Sequence, residues 1–240
     1  MTPRLEHWAQ GRRSRAALLT RRMLGTPDAG DEALAQVLAQ EIRARVESPH
    51  LAARAWQLIE LMDLGPIPEE LGDALAGALA LPAAPTLPLT LPTGTMIDDA
   101  ESARLAGEAL ALRALTKARR QDDPRVRGRL DDLARRGPDL EGVTRRASAL
   151  HGLAMDAVHY PHATTRLVDE LVRAQRQDGG WGEAGVFHVA QALLSVEHPG
   201  AGHALGRATG LLLAHQMEDG GFGSDERSWI AVRWLRRVGG

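Results

Sequence analysis

The chain has no cysteine, no asparagine, a single lysine (Lys117) and eight aromatic residues among 240. Without cysteine there is no disulfide, no thiolate nucleophile and no Cys-ligated zinc, and redox chemistry by the protein's own side chains goes with them. Basic residues number 29 against 31 acidic, a net charge of −2, so no global field points to nucleic acid. No stretch approaches the ~18 apolar residues of a membrane span, and no transmembrane segment is expected. The apolar run between the N-terminal arginines, Ala16-Ala17-Leu18-Leu19, is too short for a signal-peptide core. Phosphate-binding, nucleophile-elbow and dinucleotide fingerprints are missing as well, so no cofactor is expected. Abundant Arg and Ala beside so little Lys and Asn suggest a bacterial, cytoplasmic protein.

What the chain does have is helical periodicity almost throughout, with alternating strand patterns nearly absent. The spacing predicts helices at about 5–24, 31–46, 51–63, 68–80, 99–120, 125–136, 141–158, 164–177, 185–197, 201–217 and 226–238. In the ninth, Val186, Val189, Ala190, Leu193 and Leu194 form the stripe of a helix packed on one side. The segment 81–95, with Pro82, Pro85, Pro88 and Pro92, excludes helix and favours extended chain. Because helical units continue on both sides, it is expected to be a loop over one mouth of the fold rather than a domain boundary.

One eight-residue sentence occurs twice: Gln175-Arg176-Gln177-Asp178-Gly179-Gly180-Trp181-Gly182 and Gln216-Met217-Glu218-Asp219-Gly220-Gly221-Phe222-Gly223. The copies lie 41 residues apart (222 − 181), a period that marks a repeat protein built of helix, glycine turn and helix. Each residue has a structural task. Gln175 and Gln216 sit where a helix end leaves carbonyls unpartnered. Gly179 and Gly220 can adopt the left-handed conformation that ends a helix, with Gly180 and Gly221 following in the turn. Asp178 and Asp219 can accept turn amides, and Trp181 and Phe222 offer flat apolar faces to the next unit.

This sentence, Q-x-x-D-G-G-W/F-G, resembles the repeat of the terpene cyclases, the protein prenyltransferase β-subunits and related α/α-toroid domains, and direct matching covers about residues 164–238. The resemblance implies an all-α fold, a single α/α toroid of about six helical hairpins spanning 1–240, in which the repeat residues fasten outer helices together. It also implies a small apolar, isoprenoid ligand in the central cavity. The segment Thr95-Met96-Ile97-Asp98-Asp99-Ala100-Glu101 resembles the D-x-D-D segment of squalene-hopene and class II diterpene cyclases. On that likeness Asp98 takes the place of the acid that protonates an alkene, Asp99 that of its neighbour, and Glu101 lies one turn on, although Met96 stands where the family has its first Asp. The activity implied is an acid-initiated cyclase or isomerase. The chain is about half the length of the two-domain class II cyclases, which implies a partner domain or protein.

Two other readings of the same residues stand beside this one. Asp98-x-x-Glu101 is a capping box, in which both acids serve a helix start and no substrate is needed. Eight aromatics are few for a cage of π-faces around a carbocation, which favours a non-catalytic toroid scaffold for protein–protein interaction. More distantly, Asp98 and Glu183 could serve as the acid pair of a carbohydrate-active α/α barrel. His159-Tyr160-Pro161-His162 offers two imidazoles at a turn without further ligands for a metal.

Overall fold

The computed structural model describes residues 3–45, 50–80 and 85–239, without the side chains of Pro3 and Glu183. Among them the chain is mostly helical. Its α-helices are α1 (Pro3–Gln10), α2 (Arg15–Leu24), α3 (Asp31–Arg43), α4 (Leu51–Leu64), α5 (Glu69–Leu79), α6 (Ala100–Lys117), α7 (Pro124–Arg136), α8 (Val143–Leu153), α9 (Pro161–Arg173), α10 (Val186–Leu193), α11 (Pro199–Ala214) and α12 (Asp225–Gly239). The fold is therefore all-α. The long helix expected at 5–24 is two. Ser14 caps α2 by accepting the Ala17 amide at 3.3 Å, and buried Arg21 ties the corner by donating to the Arg12 carbonyl at 3.0 Å and to that of Ala9. Gly11 and Ser14 are the break and cap signals that the apolar stripe obscured.

Contacts among the even-numbered helices run in a circuit: α2 on α4, α4 on α6, α6 on α8, α8 on α10, α10 on α12, and α12 back on α2. The odd-numbered helices lean against them, α1 on α2, α3 on α4, α5 and α7 on α6, α9 on α8, and α11 on α10 and α12. Sequence explains the division. In α6, thirteen of eighteen residues are buried, five of them alanine among the leucines, as close approach on several sides requires. In α9, by contrast, only Thr164, Leu167, Val168 and Leu171 are buried, the single stripe of an outer helix. The buried apolar side chains, from Leu5 to Trp234, make one main contiguous cluster.

The two repeat turns are built alike. Gln175 donates from Nε2 to the Gly179 and Ala204 carbonyls, both at 2.8 Å, and Gln216 to the Gly220 carbonyl at 3.0 Å. Asp178 accepts the Gly180 amide at 2.8 Å and Asp219 the Gly221 amide at 2.9 Å. Trp181 and Phe222 are both buried, and the Trp181 indole donates to the Leu171 carbonyl at 2.7 Å. Gly179 and Gly220 have φ of 86° and 87°, the left-handed region that glycine alone enters without strain. Each also lies against backbone. A Cβ at Gly179 would come within 2.6 Å of the Arg207 carbonyl oxygen in α11, and one at Gly220 within 2.2 Å of that of Arg4 in α1. The second turn thus seats on α1 as the first seats on α11, joining the C-terminal repeat to the N-terminal helix.

Of the proline-rich segment, residues 81–84 lie outside the described residues. Beyond them, β1 (Leu89–Thr90) pairs antiparallel with β2 (Met96–Ile97). Between the strands, Leu91, Thr93 and Thr95 point inward and are buried. The Arg227 guanidinium of α12 donates to the Thr93 carbonyl at 2.7 Å, and Leu91 and Pro92 reach residues of α6, α8 and α10.

Candidate functional site

The segment expected to carry an acid lies at the surface. Asp98, Asp99 and Glu101 are all exposed, whereas an acid in the place that the likeness gives Asp98 would have to face a ligand in the central cavity. The cap also falls one residue later than the capping box predicted. Asp99 accepts the Ser102 amide at 2.8 Å and starts α6. Arg145 of α8 then gathers the segment, lying 3.2 Å from Asp99 and 3.0 Å from Glu101 and donating to the Ser102 hydroxyl at 2.8 Å. Hydrogen bonds from Ser102, and then Arg145, hold the Asp99 carboxyl below its ordinary range. That is an ionised cap, the opposite of the neutral acid in a dry pocket that alkene protonation needs. The side chain of Glu183 lies outside the described residues. In the histidine turn, His159 is bonded to Asp156 at 2.5 Å and Tyr160 donates to Asp131 at 2.7 Å.

A different set of polar side chains converges inside. Each even-numbered helix supplies members: Arg15 from α2, Glu60 and Asp63 from α4, Arg113 and Lys117 from α6, Ser148 and His151 from α8, His188 and Gln191 from α10, Glu226 and Arg233 from α12. Arg15, 8% exposed, is the hub. It pairs with Asp63 and Glu226, lies 3.4 Å from Glu60, and stacks its guanidinium 5.4 Å from the Trp56 ring centre. Lys117 pairs with Asp63. Gln191 donates to Glu226 at 3.2 Å. Ser195 donates to the Gln191 carbonyl at 2.7 Å and accepts from Arg113 at 3.1 Å. Arg233 and Arg237 donate to the Leu194 and Leu193 carbonyls at 3.1 and 3.2 Å, occupying the unpartnered end of α10.

Burial governs the charge states. It pushes the Glu226 and Glu60 carboxyls up against the pull of Arg15. Burial also pulls Arg15 down, but Glu226, Asp63 and Glu60 together outweigh it and leave the guanidinium above its ordinary value. Burial and then neighbouring Arg233 bring Arg113 down to about 10.

Next to this network lies a smaller neutral group. Ser148 and His188 are 3.2 Å apart through Oγ and Nε2. Together with His151 and Gln191 they wall a cavity of about 10 Å³, whose other walls are Leu91, Pro92, Ala106, Ala109 and Leu110. Burial, then Arg113, His188 and Arg233, holds His151 well below the ordinary histidine value. Burial takes His188 down to about 4. Near neutral pH both imidazoles are uncharged.

No protein-family model matches the chain. No solved structure matches it significantly either. The case for a site therefore rests on this geometry.

These residues carry little local signal in the sequence because they are dispersed over six helices, one or two to each. One signal was there: Ser148 and His151 recur as His188 and Gln191 forty residues later (188 − 148, 191 − 151), almost in register with the 41-residue repeat.

The histidines give a pH prediction. A histidine whose folded value is depressed binds fewer protons folded than unfolded, so its stabilisation is complete above the unfolded value and falls as pH drops toward the folded one. For His188 that window runs from 6.5 down to about 4, and the loss is about 3 kcal/mol. Glu60 and Glu226, raised by burial, act in the opposite sense. Urea midpoints of the parent and of His188→Gln, compared at pH 7 and 4.5, isolate the histidine. The parent should lose more stability than the variant; equal losses would contradict the assignment.

Proposed function

We propose that the twelve helices form an α/α toroid, with the even-numbered helices as inner ring and the odd-numbered ones outside, and that the protein binds a small, largely apolar molecule at its centre. The observation that carries this reading is the convergence of polar side chains from all six even-numbered helices on one interior region. Buried polar groups cost free energy unless they are paired, and clusters of titratable groups shifted by burial and by one another gather at functional sites. The contact circuit from α2 to α12 and back supports the toroid, and the seating of both repeat turns on outer helices supports the likeness to terpene-cyclase-type repeats. An isoprenoid remains the ligand class that this likeness suggests.

A role for Asp98 as general acid finds no support in its exposure. Any chemistry is better sought at the interior residues.

The second reading is a scaffold for another protein, favoured by Leu91 and Pro92, which fill the space over the interior polar group. An open groove of about 660 Å³ beside Trp8, Arg12 and Phe222 is where such a partner would find purchase.

Native mass spectrometry with farnesyl-length hydrocarbons and alcohols separates the two. The ligand reading expects one equivalent bound per chain, unchanged by Asp98→Asn. Failure of any such molecule to bind would leave the scaffold reading in its place.

A further inference from the structure

Most polar atoms of the interior are spoken for. His151 Nε2 is not: it is buried, its residue is 3% exposed, and it finds no hydrogen-bond partner among the described residues. His151 lines the cavity shared with Ser148, His188 and Gln191, whose volume of about 10 Å³ is room for about one water molecule. With the ring proton on Nδ1, Nε2 is a lone pair that needs a donor, because an unsatisfied buried acceptor carries its full desolvation cost.

We propose that the space walled by Ser148, His151, His188 and Gln191 and roofed by Leu91 and Pro92 is a binding site for the hydroxyl end of a neutral, apolar-bodied alcohol, admitted when the 85–95 loop lifts. The proposal rests on the ligand-binding reading above and specifies the polar end of that ligand.

Three features select this chemistry. The wall presents both hydrogen-bonding capacity and apolar surface. In that tautomer His151 accepts, and the Ser148–His188 pair, 3.2 Å apart, offers a second polar station, while Ala106, Ala109 and Leu110 would face an alkyl body. No charged side chain lines the cavity among the described residues, so a carboxylate or phosphate would leave water without meeting a cation. A cationic head fares no better, since it too would leave water without meeting an opposite charge on the walls. A hydroxyl supplies the missing donor and brings no charge.

The roof suits a movable cover. Its sheet is two residues per strand, and its side-chain fastenings to the rest of the fold include the 2.7 Å bond from Arg227 to the Thr93 carbonyl, a 2.9 Å bond between Thr86 and the His50 ring at the start of α4, and a 3.5 Å contact from the Thr95 hydroxyl to the Ala184 carbonyl. Leu91 and Pro92 are apolar, so the body of an alcohol can replace them against the same walls with little change in buried surface. A closed roof lowers apparent affinity by the fraction of molecules that are open, and weakening the Arg227 latch should raise it.

The test uses the full chain labelled with ¹⁵N-histidine and two isomeric probes, hexanol and methyl pentyl ether, which differ in the hydroxyl donor. Hexanol should shift the His151 Nε2 resonance saturably and bind about tenfold more tightly than the ether. Arg227→Ala should tighten hexanol binding, and His151→Phe should abolish the preference for alcohol over ether. If Arg227→Ala does not fold, Leu91→Ala opens the roof from its other side. Equal binding of alcohol and ether would overturn the hydroxyl inference while leaving the ligand-binding reading intact. Absence of binding by either probe to both the parent and the latch variant would overturn both.

Discussion

Replacing Gly220 with alanine should destabilise the protein by about 3–5 kcal/mol, the sum of a strained left-handed backbone and a steric collision. Its φ is 87°, and the new methyl would lie 2.2 Å from the Arg4 carbonyl oxygen and 2.7 Å from the Arg4 carbonyl carbon. Neither atom is the tip of a flexible side chain, so relief requires α1 to move off the turn. With it would go the seat of Leu5 and Trp8, both buried. Gly202 in α11 is the control, because a methyl there meets nothing within 4 Å. Alanine at that position should stabilise the helix by roughly 0.5–1 kcal/mol. Urea denaturation measures both. A Gly220→Ala midpoint matching the parent would mean that the turn does not rest on α1 as described.

Removing the hub of the interior network should cost a comparable amount. In Arg15→Met the carboxylates of Asp63, Glu60 and Glu226, between 10% and 25% exposed, would face one another with Lys117 as the remaining direct partner of Asp63. Breaking a buried ion pair from one side costs about 3–5 kcal/mol, chiefly because charge is left behind without compensation. The diagnostic is the recovery. Adding Asp63→Asn and Glu226→Gln to Arg15→Met should restore a large part of the loss, since neutral amides do not need the guanidinium. If the triple variant is as unstable as Arg15→Met alone, Arg15 acts by packing on Trp56 rather than as the charge centre.

The parts of the structure that could be read from the sequence are those whose determinants lie close together in the chain. The repeat turns are specified within eight residues, where Asp178 bonds the amide two positions on and Gly179 supplies the only backbone conformation that fits. Most helices announced themselves through their stripes. The break at Gly11 did not, because α1 and α2 keep a shared apolar periodicity across it. The Asp98–Glu101 segment misled for a related reason. Two adjacent aspartates offer two cap registers, and the choice of Asp99 is reinforced by Arg145, a residue 46 positions away (145 − 99) that no local pattern reveals. The interior cluster was least legible, since its members are dispersed over six helices and meet only once the chain has folded.

In the proposed toroid the chain closes on itself, with the second repeat turn docked on α1. Arg12 and Asp219 mark that closure, paired at 2.5 Å with side chains 47% and 50% exposed, so both tolerate substitution. Because the chain has no cysteine, Arg12→Cys combined with Asp219→Cys creates its only two thiols. Treated as a dilute monomer with a short bis-maleimide, this variant should cross-link within one chain rapidly and nearly completely, and urea should abolish the reaction. A folded variant that stays uncross-linked, or links only between chains, would contradict the closed ring.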